Sequence, residues 1–185
     1  MRFNTLLLGL ACLVLTGGCG KFFSNDSEYD ADGNPTNVAA GGYFKVDWLE
    51  RSFSSRGLTR CQFNAAQNGL GVLEVSFQDS ETDSELRLVL SGLNPQNNQH
   101  QILGAGRTSG GSILLKSGGD QRLNSYKNQS SNGRGNSTQC LIRNRVQGRA
   151  VEIAFECSNL FNDYGQPKNA SGEVRCMSEQ YTWED

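Results

Sequence analysis

The sequence predicts an all-β fold: a single antiparallel β-sandwich or barrel-like domain with two disulfides, preceded by a flexible tether. Apolar and polar side chains alternate with a period of two, most clearly where polar residues separate Leu73, Val75 and Phe77. The chain also holds 22 glycines, and its strand-like segments are joined by links rich in Gly, Asn and Ser. No segment has the periodicity of an amphipathic helix. Short strands with turn-rich links are typical of sandwiches and barrels.

Length and composition limit the class of protein. The 185 residues suffice for one ordinary domain and are too few for two domains with full cores. Hydrophobic residues make up 36% and charged residues 19% of the chain, so we expect long polar loops. This composition excludes a highly charged disordered protein and a coiled coil of Ala, Glu, Lys and Leu.

Residues 1–18 have the organisation of a signal peptide. One positive charge at Arg2 precedes the almost wholly apolar residues 6–15, and small residues follow at 16–18. No apolar run reaches the roughly 18 residues that a membrane-crossing helix needs, so the sequence predicts no transmembrane segment. Residues 1–18 are therefore expected to be removed before the domain folds.

The end of this segment resembles the lipobox of bacterial lipoproteins, in which small residues precede a cysteine that becomes the first mature residue. Residues 16–18 precede Cys19, although Thr16 stands where the family usually has Leu and Leu15 lies one position earlier. The resemblance implies that Cys19 carries lipid and anchors the chain to a membrane. In Gram-negative members, Gly20 rather than Asp implies delivery to the outer membrane of the cell envelope. An ordinary cleaved secretion signal is the alternative.

The remaining cysteines predict two disulfides. Cys61, Cys140, Cys157 and Cys176 are an even number in an oxidising compartment. Their separations of 79, 17 and 19 positions lack the ligand spacing of two to four residues found in zinc sites. We therefore favour disulfides over a zinc site.

The tether is expected to cover residues 19–42 and the β-sandwich domain residues 43–185. The tether is rich in Ser, Asn, Asp and Gly and has too few large apolar residues to fold alone. Nine strands are predicted in the domain, at residues 44–49, 58–63, 73–77, 86–90, 101–104, 112–116, 139–146, 150–157 and 172–177. The low-complexity residues 117–138 are predicted to form a mobile surface loop.

A turn at Gly148 and Arg149 predicts the register of one hairpin. A two-residue type II′ turn favours Gly at its first position and pairs residues whose numbers sum to 297. Cys140 then lies opposite Cys157, and Arg145 lies opposite Glu152 on the other face. Of the three connectivities open to four cysteines, we predict Cys140–Cys157 and Cys61–Cys176.

Positive charge is concentrated in residues 86–149, which hold nine Lys or Arg and the single acid Asp120. If these residues share one face, they form a patch for an anionic partner such as lipopolysaccharide, an acidic glycan or a protein. Nucleic acid is disfavoured. The candidate partner-binding residues are Arg122, Lys127, Arg134, Arg143, Arg145 and Arg149. The alternative is that strands from elsewhere bring carboxylates beside these cations.

Two acidic segments are weak calcium candidates. Asp30 and Asp32 lie on alternate residues before Gly33, as in a calcium loop, but Ala39 stands where that loop needs a bidentate Glu. Residues 79–85 carry four carboxylates on alternate positions. A solvated surface is favoured for both segments, and no cofactor is expected.

The sequence favours a non-catalytic binding or structural protein of the cell envelope. The one histidine, His100, lies in a polar segment, and no G-x-S-x-G nucleophile motif occurs. The glycines of residues 104–111 lack the spacing of a phosphate-binding loop. The alternative function is a secreted or envelope hydrolase, or an inhibitor of one, and the sequence leaves the oligomeric state open.

Overall fold

A computed structural model describes residues 28–29, 31, 35–65, 69–106, 109–130 and 137–179, and it confirms the antiparallel β-fold. β1 (Glu28–Tyr29) and β2 (Pro35–Asn37) form a separate two-stranded sheet. The strands of the main sheet are β3 (Gly41–Val46), β4 (Leu49–Phe53), β5 (Leu58–Ala65), β6 (Gly71–Asp79), β7 (Ser84–Leu93), β8 (Gln99–Leu103), β9 (Gly111–Ser117), β10 (Ser125–Lys127), β11 (Gln139–Gln147), β12 (Ala150–Phe161) and β13 (Pro167–Met177). A 3-10 turn at Ser55–Gly57 and α1 (Gln121–Asn124) complete the described elements.

The main sheet has the order β4-β3-β13-β12-β10-β9-β7-β6-β5, and every pairing is antiparallel. β12 divides one edge between two partners, since β11 pairs along most of it and Lys127 of β10 pairs with Phe161 near its end. β8 adds to the far edge of β11. The sheet therefore curls into a nearly closed barrel that carries a side arm of β11 and β8.

The edge strand β5 contacts Ser178 and Glu179, the residues that follow β13. The backbone N–H of Glu179 donates to the carbonyl of Cys61 at 3.0 Å, and the N–H of Phe63 donates to Ser178 Oγ at 3.0 Å. The Cys61–Cys176 disulfide joins the same two segments. Backbone groups that would otherwise form an open sheet edge are thereby satisfied.

Alternating side chains fill the barrel interior. On β6 and β7, the predicted apolar residues are buried and their neighbours are more exposed, as a period of two requires. The largest fully buried side chains are Phe44, Phe63, Phe77, Phe155, Leu73, Leu86, Leu88, Leu90, Leu93, Ile102, Ile113 and Leu115. They form one continuous core drawn from nearly all strands of the sheet.

The predicted register of β11 and β12 is confirmed. Gly148 has a φ of 54°, and every pair from Gln139↔Ser158 to Gln147↔Ala150 follows the expected sum. Cys140 lies opposite Cys157 with a Cα–Cα distance of 4.0 Å. Both predicted disulfides are present.

Several predicted boundaries differ from the structure. The strand predicted at residues 44–49 is two strands, because the chain reverses at Asp47 (φ 53°) between β3 and β4. β3 begins at Gly41, and Val38 is already buried, two and five residues before the expected start of the domain. Residues 28–37 of the predicted tether contain the β1–β2 pair.

The prediction of a loop over residues 117–138 is wrong for its described parts. α1 and β10 lie within it, and Tyr126 and Asn128 are buried. The Asn128 side chain accepts from the N–H of Ile113 at 3.0 Å and donates to the carbonyl of Gly104 at 2.7 Å. A polar side chain here satisfies buried backbone groups, so hydrophobic alternation gives no sign of the structure. Residues 131–136 lie outside the described part of the chain.

Removing the disulfides is expected to cost unequal amounts of stability. The bridges close segments of 115 and 17 residues, and loop entropy predicts losses of about 5 and about 3 kcal/mol in the free energy of unfolding. Urea denaturation of the double variants Cys61→Ala/Cys176→Ala and Cys140→Ala/Cys157→Ala measures both. A larger loss for the shorter loop would contradict the prediction.

Replacing Gly110 with Ala is expected to destabilise the barrel much more than replacing Gly165 with Ala. Both glycines have positive φ, 82° and 73°, so each substitution incurs the left-handed backbone cost of about 1–2 kcal/mol. A Cβ on Gly110 would in addition overlap the carbonyl oxygen of Gln101, whereas a Cβ on Gly165 meets nothing within 4 Å. Thermal unfolding of the two variants tests this. Equal losses of stability would show that the β8–β9 connection shifts to accommodate the added Cβ without a further energetic cost.

Candidate functional site

An open groove of about 820 Å³ lies along the outer face of β8, β11, β12, β13 and β3. Its lining is mostly polar, with two leucines at one end. The lining residues are Lys45, Asp47, Gln101, Leu103, Gln139, Cys140, Leu141, Glu156, Cys157, Ser158, Asn169, Ala170 and Ser171. Because five strands contribute, the long axis of the groove crosses the strands.

Strand register aligns the outward side chains of the groove in one row. Gln101 of β8 pairs with Leu141 of β11, Leu141 with Glu156 of β12, Glu156 with Ser171 of β13, and Ser171 with Lys45 of β3. Adjacent strands lie about 4.8 Å apart, so the four steps from Gln101 to Lys45 span about 19 Å. The groove is therefore a linear site.

An irregularity in β12 accompanies the groove. The register between β12 and β13 shifts between Cys157 and Leu160, and Asn159 has a φ of 56°. A bulge bends its strand and increases the local twist. Just beyond it, β12 leaves β11 and pairs with β10. The surface thus changes direction beside Ser158, one of the lining residues.

Charges of both signs occur in the groove, at its β3 end and in its middle at Glu156. Asp47 accepts from Lys168 Nζ at 2.6 Å, and this hydrogen bond, together with the charge of Asp47, raises the pKa of Lys168. Glu156 Oε1 lies 3.5 Å from Arg143 Nη2. Lys45 is exposed and has no carboxylate within 4 Å among the described residues. Its strand partner on β4, Glu50, is not in direct contact with this ammonium.

Apolar surface lies at the opposite end. Leu103 is 55% exposed although it is a large hydrophobic residue, and Leu141 is half-buried. At the β3 end, Trp48 follows Asp47 in the β3–β4 turn and is 84% exposed. Single exposed apolar residues are common on proteins, but the two leucines line the same concave surface. The groove is consequently apolar at one end and charged at the other.

The predicted basic residues lie far apart along the sheet. Lys127 pairs with Phe161 of β12 and Arg145 with Glu152, nine residues away, a separation of about 30 Å along the strand. Arg122 is exposed on α1, and Arg149 lies in the β11–β12 turn, where its Nε donates to the Ser178 carbonyl at 2.8 Å.

Carboxylates accompany three of these cations. Lys127 Nζ lies 2.9 Å from Asp163, Arg143 pairs with Glu156, and Arg145 Nη1 lies 3.6 Å from Glu152. Each acid is contributed by β12 or the turn after it. This is the interleaving that the sequence analysis weighed as the alternative to a basic face, and it reduces the field available to an anionic partner.

Among the described residues, Glu152 is the one buried carboxylate of the outer face. It lies between Arg145 of β11 and Arg175 of β13, which are its partners in the strand register. Its side chain is only 8% exposed. Burial raises the pKa of the Glu152 carboxyl, and the two guanidinium groups partly oppose that effect. The two arginines therefore stabilise the ionised form of a carboxylate that is almost fully shielded from water.

The residues considered for catalysis or metal binding have structural partners. His100 Nε2 lies 2.6 Å from the Gly110 carbonyl oxygen. Asp79 accepts from the Glu81 N–H and from the Thr82 hydroxyl, which lowers its pKa, and Asp83 pairs with Lys116 at 2.7 Å. Within the described residues, no group of three or more His, Cys, Asp or Glu is arranged to hold a metal ion.

Some predicted site residues lie outside the described part of the chain. They are Cys19, Asp30, Asp32 and Arg134. Among the residues that are described, no helix has both the length and the apolar character required to cross a bilayer.

Sequence reasoning missed the groove. Alternation on β12 and β13 does assign Glu156 and Ser171 to an outward face. It gives no information about which strands neighbour each other, and Gln101, Glu156 and Lys45 are distant in sequence. Only the sheet order brings them into one row.

Comparison with protein-family models, with curated protein sequences and with solved structures found no match to this chain.

Replacing Glu152 with Gln is expected to alter how stability depends on pH. Because the pKa of Glu152 is raised, the folded chain keeps this proton at pH values at which the unfolded chain has lost it. The free energy of unfolding of the native chain therefore falls as pH rises between the unfolded and folded pKa values of this group. Glu152→Gln lacks that contribution and should gain stability relative to the native chain as pH rises. Urea denaturation from about pH 4 to about pH 8 tests this, and a constant difference would contradict it.

Proposed function

We propose that the chain is a lipid-anchored protein of the cell envelope that binds a partner without catalysis. Lipid on Cys19 holds it at the outer membrane of a Gram-negative cell, and residues 19–42 connect the lipid to the barrel. The partner lies in the groove across β8, β11, β12, β13 and β3. The observation that carries the proposal is the open groove, whose lining combines amides, hydroxyls, charged groups and leucines.

Cysteine usage supports an envelope location. Two disulfides join all four cysteines of the domain and tie β5 to β13 and β11 to β12. Disulfides of this structural kind persist in oxidising compartments and are rare in the cytosol. The signal segment and Cys19 supply the matching route and anchor.

The engagement of polar groups supports binding over hydrolysis. A hydrolase needs a nucleophile and a base within hydrogen-bond reach. The one histidine of the chain, His100 of β8, contacts the Gly110 carbonyl. Its strand partner on β11 is Ile142, which is fully buried in the core. The groove itself contains no histidine. Its side chains are suited to hydrogen bonding and charge pairing.

The groove is a better supported contact surface than the six basic residues. Three of those residues have a carboxylate nearby and are spread over about 30 Å of β12. An anionic partner such as lipopolysaccharide would therefore meet a partly neutralised surface. Salt distinguishes the two contacts, because attraction to exposed cations weakens as ionic strength rises.

Photo-crosslinking in the producing cells tests the proposal. A benzophenone side chain is placed at Gln101 in the groove or, as control, at Arg87, an exposed residue of β7 outside the groove lining. We expect an adduct from position 101 and none from position 87. Washing membranes with salt before irradiation should reduce the adduct only in part, because Lys45 is the one Lys or Arg among the described lining residues. In the same sample, mass analysis without reduction should find an N-terminal peptide that begins at an acylated Cys19.

Two results would overturn the proposal. An N-terminal peptide that begins elsewhere and lacks lipid would remove the anchor. Equal adducts from both positions, or none from either, would remove the groove as the binding surface.

A further inference from the structure

We propose that the groove binds an extended polypeptide segment of about six residues, with an acidic side chain over Lys45 and an apolar side chain over Leu141 and Leu103. This inference rests on the proposed function, since it names the chemical class of the partner. The segment crosses the five strands β8, β11, β12, β13 and β3. Its length, its apolar end, its charged end and its backbone each follow from a separate feature of the groove.

The length follows from strand spacing. The row from Gln101 to Lys45 crosses four steps of about 4.8 Å, or about 19 Å in all. An extended chain covers at most 3.3–3.6 Å per residue, so about six residues span the row. The volume of about 820 Å³ is in the range of ligand-binding clefts.

The apolar end favours a peptide over a carbohydrate. Leu103 is 55% exposed, and Leu141 lies beside it in the lining. Burial of apolar surface adds about 25 cal/mol per Å² to the binding free energy, and only where the group that covers it is itself apolar. None of the described lining residues is aromatic, so none of them can stack on a sugar ring. An aliphatic or aromatic side chain of a peptide therefore matches these leucines best.

The charged end selects an acidic side chain. Asp47 is held by Lys168 at 2.6 Å, and Glu156 lies beside Arg143, so both lining carboxylates have cationic neighbours. Lys45 is exposed, and among the described residues no carboxylate oxygen lies within 4 Å of its ammonium, although Glu50 of β4 is its strand partner. Leu141 and Gln101 lie three and four strand steps from Lys45, about 14 and 19 Å. The acidic and apolar residues of the segment are therefore about four to six positions apart.

The middle of the groove suits a peptide backbone. Each peptide unit carries one donor and one acceptor. Gln139 and Asn169 offer amide groups with the same two functions, and Ser158 and Ser171 offer hydroxyls that can donate or accept. These groups can satisfy an extended backbone whatever its side chains are. Specificity then comes from the two ends.

Peptide selection against the full chain in detergent tests the inference. The probe is a phage-displayed library of random seven-residue peptides, and the strongest binders are synthesised and titrated by fluorescence anisotropy. We expect them to combine an acidic residue with an apolar residue four to six positions away. Leu103→Asp and Lys45→Glu should each weaken binding at least about tenfold. The matched controls Val72→Asp and Arg87→Glu, exposed positions of β6 and β7, should change it less than about twofold.

Charge exchange gives a sharper test of the Lys45 contact. A selected peptide whose acidic residue is changed to Lys should bind Lys45→Glu better than it binds the native chain. A merely destabilised variant would show no such rescue. Circular dichroism and the melting temperature establish that each variant is folded.

Three outcomes would overturn the inference. Selected peptides that bind the groove variants as well as the native chain would place the site elsewhere, and absence of the paired acidic and apolar residues would remove the selection rule. The third outcome combines two results. In cells, the adduct at position 101 carries sugar fragments instead of peptide fragments, and a tetrasaccharide of N-acetylglucosamine binds the purified chain. That last outcome would leave the proposed envelope binding function intact and refute only the polypeptide partner.

Discussion

The junction between β5 and the segment that ends β13 is the contact on which the barrel depends. β5 is an edge strand of the sheet, and a free edge leaves backbone groups unpaired and open to aggregation. Here hydrogen bonds from Glu179 and Phe63 and the Cys61–Cys176 disulfide join the two segments. Because the disulfide spans 115 residues, it also restricts the unfolded chain strongly. Closure and stability therefore share one location.

β12 is the strand around which the outer surface is arranged. It pairs with β13 on one edge and divides the other between β11 and β10. The shift of register after Cys157 lies where the partners change. Glu152 of β12 interacts with arginines of both neighbouring strands, and Glu156 interacts with Arg143 of β11. The groove and the ion pairs are thus consequences of one central strand.

This arrangement favours recognition of a partner by shape and by local pairing over attraction by a broad electric field. Six of the described cations lie within 4 Å of a carboxylate, and Nε2 of the one histidine lies 2.6 Å from a backbone carbonyl. The outer face also carries an open groove with leucines at one end and the exposed Lys45 at the other. A site of this form on a rigid sheet can bind without a large conformational change.

The sequence by itself determined the β class and the β11–β12 register, because a period of two and a glycine turn act between neighbours in the chain. That register pairs Cys140 with Cys157, which leaves Cys61 to pair with Cys176. The sequence did not determine β10, whose burial depends on an asparagine that satisfies the backbone of another strand. Nor did it determine the groove, since Gln101, Glu156 and Lys45 meet only through the order of the strands. Sheet order is decided by which apolar faces close the core together. That is a property of the whole barrel, and only the tertiary structure reveals it.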